Sequence, residues 1–297
     1  MVVDCHAHLD ERVLSLEMLS GKMDEEGIDR VVLIPRITET VEPEKSAVLL
    51  AVQRTMMNSS LLRPAAAAVS TTFYDEYGAL RPLWRPFTQG RQGYIKSTEP
   101  DNESVAAALE KMPERFWGWI FLTPRDNPNV IEDLERWRAV PGMIGVKVHP
   151  YWHHYPMREL SGIAQRAEEL GLPLLIHLGF GAQGAYQWLA ETYPRLRIIF
   201  AHAGMPFFKE MWPLVRDHAN AYIDLSSPHL SERFVRIAVA AVGPEKCFYG
   251  TDSPYGFSSA TGVYDYGVIK GWIERLKITD REREGILGRN FLRMVGA

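Results

Sequence analysis

Cysteine is nearly absent from this chain of 297 residues: Cys5 and Cys247 are the whole supply. Two cysteines make no disulfide framework and suit a reducing compartment, so the cytoplasm is the expected location. Long apolar runs are missing as well. No stretch reaches the roughly 18 residues that a membrane-spanning helix needs. The N-terminus lacks a basic segment leading into an apolar one, so no export signal is read there. There is no excess of positive charge either: 33 Lys and Arg stand against 37 Asp and Glu, a formal net charge of −4. Nucleic acid and membrane surfaces therefore drop out as expected partners. A small-molecule substrate remains, with a homodimer as a candidate assembly. No internal repeat and no low-complexity tract appears. Hydrophobic residues make up 46% and charged residues 24%, which suits one large globular domain over residues 1–297.

Strict polar–apolar alternation, the mark of a half-exposed strand, is also rare. In its place stand near-continuous apolar runs of strand length: "MVVDCHAH" (1–8), "RVVLIP" (30–35), "FWGWIFLTP" (116–124), "MIGVKVHP" (143–150), "LPLLIHLG" (172–179), "LRIIFAHAG" (196–204), "NAYIDLSS" (220–227) and "KCFYGTDSP" (246–254). Such runs fit parallel strands buried on both faces. Helical patterns separate them. "MRELSGIAQRAEELG" (157–171) ends in glycine, "GAYQWLAETYP" (184–194) resembles it, and "SERFVRIAVAAVG" (231–243) opens on a serine N-cap. Eight strands with intervening helices predict an α/β fold, a (β/α)8 TIM barrel; a doubly wound open sheet is the competing architecture. The connection after strand two, residues 37–115, is long. Its irregular part, about residues 70–112, is a candidate lid, with an ordered surface insertion or a subunit contact as the equal alternative.

Histidine is scarce, nine in all, and five of the nine fall at the ends of these runs. In a strand, residues i and i+2 point to the same side, so His6 and His8 project together while Cys5 between them is expected to face away. His177 ends run five, His202 run six and Asp252 run eight, and Lys147 and His149 sit two apart in run four. The C-terminal ends of barrel strands form the active-site face, and imidazoles converging there form part of a metal site. His153, His154 and His229 read as polar loop residues, and His218 as a surface residue at a helix end. Asp4 is either a partner that orients a ligand or a residue deep in the barrel.

The motifs "DCHAH", "PERFWGWIFLTP", "GVKVHP", "LLIHLG", "FAHAG", "YGTDSP" and "ILGRNFLRM" occur in this order over nearly the whole chain. In them the chain resembles the amidohydrolase superfamily, in its amidohydrolase-related (amidohydrolase 2) branch. The resemblance implies a metal-dependent enzyme. It assigns His6, His8, His177 and Asp252 to a divalent metal, in the first place one zinc ion, with manganese, iron or cobalt as alternatives and a second metal as a variant. His202 is then a catalytic base or polarising group, and Asp252 both ligand and proton acceptor. Lys147 and His149 form a candidate additional site; Lys147 is expected to be unmodified. Trp152 would wall the pocket. The implied reaction is hydrolysis of an ester, lactone or amide by an activated water. The alternative is the nonoxidative decarboxylation or hydration of some relatives, for which Arg36 or Arg91 would hold a substrate carboxylate. A barrel without catalysis, serving as a metal-binding scaffold, is the third reading.

Overall fold

A computed structural model describes residues 1–36, 99–256 and 265–297, with isolated positions between 52 and 68. Eight strands form one sheet: β1 (Val3–His8), β2 (Arg30–Ile34), β3 (Phe116–Phe121), β4 (Met143–Val148), β5 (Leu174–Ile176), β6 (Ile198–Phe200), β7 (Ala221–Asp224) and β8 (Cys247–Phe248). Each pairs in parallel with the next in the order β1 to β8. The ring closes through backbone bonds: Cys5 N–H donates to Tyr249 O at 3.0 Å and His8 N–H to Ser253 O at 2.6 Å. The sheet is a (β/α)8 barrel, and its strands read as continuous apolar runs because both faces are covered.

Helices fill the connections: α1 (Leu16–Glu26), α2 (Asn102–Lys111), α3 (Val130–Arg138), α4 (Ser161–Leu170), α5 (Tyr186–Thr192), α6 (Trp212–Asp217), α7 (Glu232–Val242) and α8 (Gly267–Glu274). Their ends are written in local chemistry. Ser15 Oγ accepts from Met18 N–H at 3.2 Å to start α1, and Gly27 at φ 62° ends it, a left-handed conformation that glycine adopts without a Cβ penalty. Ser231 Oγ accepts from Phe234 N–H at 3.3 Å and caps α7. Residues 102–111, expected within the insertion, form α2. Its buried Val105, Ala108 and Leu109 face the barrel, and Gly118 makes room, since a Cβ there would lie 2.7 Å from Val105 Cγ1. Residues 70–98, the rest of the candidate lid, lie outside the described residues, as does Arg91. Among the described residues, no helix is long and apolar enough to cross a membrane.

Two apolar layers result. Alternate strand residues such as Val31, Leu33, Ile120, Val146, Ile176 and Ile223 meet the helices. The others, among them Val32, Ile34, Trp119, Phe121, Leu175 and Phe248, fill the barrel interior. The C-terminal helix (Asn290–Val295) adds Phe291 and Met294 to that interior, with Phe291 edge-on to Trp119 at 6.2 Å and to Phe248 at 5.6 Å.

Strand β1 breaks its own alternation. The β1–β2 register shifts between Asp4 and Ala7, a bulge that places one extra residue in β1. Cys5 therefore belongs to the interior cluster with Val32 and Trp119, on the same side as the His6 ring, and not opposite it as period-two alternation predicts. Its carbonyl accepts from Trp119 Nε1–H at 2.9 Å. Asp4 pins the bulge. Its carboxylate accepts from His6 N–H at 2.9 Å, Thr251 N–H at 3.1 Å and Thr251 Oγ–H at 2.6 Å, and from the Tyr266 hydroxyl. Burial pushes the Asp4 carboxyl up to about 6, against the pull of the Thr251 and Tyr266 bonds.

Candidate metal centre

The C-terminal mouth collects the histidines. The bulge aims His6 inward, and His8 follows it at the end of β1. After β6 the chain turns sharply, with His202 at φ 57° and Ala203 at φ 56°; after β8, Asp252 sits at φ 60°. Left-handed backbone is costly for residues with a side chain and gathers at functional sites. Here it re-aims two side chains that a straight strand would not bring together.

His6, His202 and Asp252 offer ligand-type atoms within 4.8 Å of one another. Asp252 Oδ1 lies 3.6 Å from His6 Nε2 and 3.5 Å from His8 Nε2. His177 stands beside this group, its Nδ1 3.0 Å from His202 Nε2. Behind it the His149 ring stacks on His177 at 4.0 Å, and Trp152 stacks on His149 at 4.8 Å. His149 also caps the one-turn helix Pro150–His153, its Nδ1 accepting from Trp152 N–H at 3.1 Å. The structure thus brings together His6, His8, His177, His202 and Asp252, with His149 and Trp152 as a wall behind His177. Lys147 is 1% exposed within the barrel, and its Nζ has no hydrogen-bond partner. Arg36 shares no cleft wall with these residues. It pairs with Asp101 at 3.4 Å, in a cleft of about 490 Å³ lined also by Asp10, Arg12 and Lys111.

Electrostatics at the mouth follow from burial. Removal from water lowers His8, lowers His177 well below the usual histidine range, and brings His202 down to about 3. His8, His177 and His202 are therefore neutral, the form that binds metal. Burial likewise lowers the Lys147 amine to about 8. Burial alone would raise the Asp252 carboxyl, but His202, His8 and His6 outweigh it and hold it below the usual range. A divalent cation fits this donor set. His6 Nε2 is buried without a hydrogen-bond partner and faces an ionised carboxylate. A buried ring nitrogen without a hydrogen-bond partner, set against a carboxylate, is a position that a cation would satisfy.

Two residues of the centre escaped the sequence reading. Asp224 ends β7 fully buried, its Oδ2 2.8 Å from His6 Nδ1. Ser226 Oγ lies 2.8 Å from His202 Nδ1. The signal was the carboxylate in "AYIDLSS": an aspartate inside a continuous apolar run is almost never buried unless paired. Of the other histidines, His153 is buried edge-on against Phe121 at 5.5 Å, and His218 ends α6.

Comparison with known proteins adds the family to the fold. L-fucono-1,5-lactonase of Burkholderia ambifaria is 27% identical over 213 residues, covering 63% of this chain and 68% of that protein. Gamma-resorcylate decarboxylase of a Polaromonas species is 22% identical over 243 residues, covering 62% of this chain and 72% of that protein. A crystal structure of dihydroxybenzoic acid decarboxylase from Polaromonas, with bound manganese and the inhibitor 2-nitroresorcinol, superposes with a TM-score of 0.61 at 15% identity, over 99% of this chain and 96% of that one. The family model described as amidohydrolase matches residues 3–297. With the barrel, the strand-end histidines and this match in hand, the chain belongs to the metal-dependent amidohydrolase family.

Proposed function

We propose that this protein is a metal-dependent hydrolase that opens an ester or lactone, or cleaves an amide, of a small molecule. The observation that carries the reading is the unpartnered His6 Nε2 facing the Asp252 carboxylate at 3.6 Å, with His8 on the other flank at 3.5 Å. His6, His8, His177 and Asp252 would hold the ion, zinc in the first place for this nitrogen and oxygen donor set, with manganese the alternative that one structural neighbour carries. Such an ion supplies Lewis acidity toward a carbonyl oxygen and lowers the pKa of water.

The chain's own groups do the rest. Asp252 is ionised and its side chain is 15% exposed at the mouth, so a carboxylate oxygen can take the proton of an attacking water. His202, neutral at all ordinary pH, brings no charge to the centre. The His149 and Trp152 rings stack in series behind His177 and hold its ring in place. The named lactonase relative favours a lactone; the named decarboxylase favours the lyase reading of the same centre. Metal-loaded protein incubated with sugar-acid 1,5-lactones, aryl esters and dihydroxybenzoates separates them. Acid release without carbon dioxide is expected. Carbon dioxide from the benzoates with lactones and esters left intact would replace the hydrolase by the decarboxylase.

A further inference from the structure

The centre works only if each imidazole presents a bare nitrogen to the right neighbour, and one carboxylate on β7 decides which nitrogen that is. We infer that Asp224 and Ser226 are positioning residues that fix the tautomers of His6, His202 and His177 through a one-way chain of hydrogen bonds. The inference rests on the metal-centre reading and deepens it.

Proton counting gives the direction. Asp224 is 0% exposed. Two backbone N–H groups and a hydroxyl converge on its Oδ1, donors that favour the ionised carboxylate. Its Oδ1 accepts from His202 N–H at 2.9 Å and Ser226 N–H at 3.0 Å, and lies 2.5 Å from Ser226 Oγ. A carboxylate has no proton to give, so the hydroxyl spends its only proton there. Ser226 Oγ is then an acceptor toward its other neighbours, and His202 Nδ1 at 2.8 Å must carry hydrogen. A neutral imidazole protonated at Nδ1 has its lone pair at Nε2. His202 Nε2 lies 3.0 Å from His177 Nδ1, so His177 Nδ1 is the donor and His177 Nε2 is left as a lone pair.

His6 is set by the same carboxylate. Its Nδ1–H donates to Asp224 Oδ2 at 2.8 Å, with Ser226 Oγ a weaker neighbour at 3.3 Å. That leaves the lone pair on Nε2, the buried atom without a hydrogen-bond partner. All three rings thus carry hydrogen on Nδ1, the reverse of the Nε2–H form that free imidazole side chains favour. The lone pair on His6 is presented to the Asp252 carboxylate as a ligand atom, and the one on His202 is tied to the His177 proton. Removing a group that orients a ligand imidazole in this way typically changes metal affinity 10- to 100-fold.

Nitrogen NMR of the full-length chain labelled with ¹⁵N-histidine tests this, before and after zinc removal by chelation. Long-range proton–nitrogen correlations report the tautomer of each ring and need no substrate, so the result stands whether or not the hydrolase reading does. In wild type, His6, His177 and His202 should all read as Nδ1–H. In Ser226→Ala, His202 and His177 should revert to Nε2–H in the metal-free chain while His6 keeps Nδ1–H. Ser226→Thr, which retains the hydroxyl, should restore the wild-type pattern. Asp224→Asn should weaken zinc binding roughly 10- to 100-fold in competition with a chelator. His202 or His177 found as Nε2–H in wild type overturns the chain of donors, and needs no variant to fold. An unchanged Ser226→Ala spectrum, or unchanged zinc affinity in Asp224→Asn, overturns the positioning role.

Discussion

At its floor the barrel interior is filled by Trp119, Phe248, Phe291 and Met294, all buried; at its mouth the same space holds His6, His8, Lys147, His177, His202, Asp224 and Asp252. The floor follows every local rule. Its strands alternate between interior and helix layer, and the Trp119 indole finds the Cys5 carbonyl. The mouth breaks several rules at once: a bulge, three left-handed residues, and buried nitrogens on His6 and Lys147 without partners. Each of these costs free energy, on the order of 1–3 kcal/mol for a strained residue or an unsatisfied group. A well-packed floor offsets such costs, and stability and chemistry are therefore separable along one set of strands.

That separation can be broken deliberately. The largest effect is expected from replacing both His6 and His8 with alanine, which should take metal content from about one ion per chain to background. Mass spectrometry of metals reads it, and unchanged stoichiometry would remove these two residues from the ligand set. Next comes His202→Asn. If the ring acts on water or substrate, metal content and melting temperature should hold while turnover drops roughly 10²- to 10⁴-fold. Loss of metal along with turnover would make His202 a ligand instead, as its place within 4.8 Å of His6 and Asp252 allows. Full turnover with a lower melting temperature would make it a packing residue.

At the floor, Phe291→Ala should do the opposite. Emptying a site that is 1% exposed should cost about 3–5 kcal/mol of stability, read by denaturant unfolding, with metal content unchanged in the folded fraction. A loss of metal comparable with that of the histidine variants would show the two ends to be one cooperative unit. The smallest effect belongs to Ala203→Gly. At φ 56° alanine pays for a conformation glycine adopts freely, so the variant should gain up to about 1 kcal/mol. Calorimetry checks the sign; a destabilised variant would mean that the turn after β6 carries no strain worth relieving.

Much of this molecule was legible in one dimension. Continuous apolar runs gave eight buried parallel strands in order, because a strand covered on both faces has no polar side to display. Glycine and serine marked helix ends such as Gly27 and Ser231, where local backbone geometry selects the residue. The histidines at the ends of runs one, five and six and the aspartate of run eight converged, because a barrel gathers its strand ends on one face. The boundary of α2 was not legible: its alanine-rich pattern adjoins an irregular stretch, and packing against Gly118 selects it.

The sequence alone determined the barrel, the strand order and the residue types at the mouth, since all three depend on the period and position of side chains along the chain. Only the tertiary structure decided the rest. The β1 bulge overrides alternation and turns Cys5 inward, because Asp4 on β1 finds Thr251 and Tyr266 from the far end of the chain. Burial brings the His202 imidazole down to about 3 from the ordinary histidine range, because desolvation depends on what surrounds a ring and not on its neighbours in sequence. Asp224 meets His6 across 218 residues of separation, and no local pattern records a contact that exists only once the first and seventh strands share a barrel.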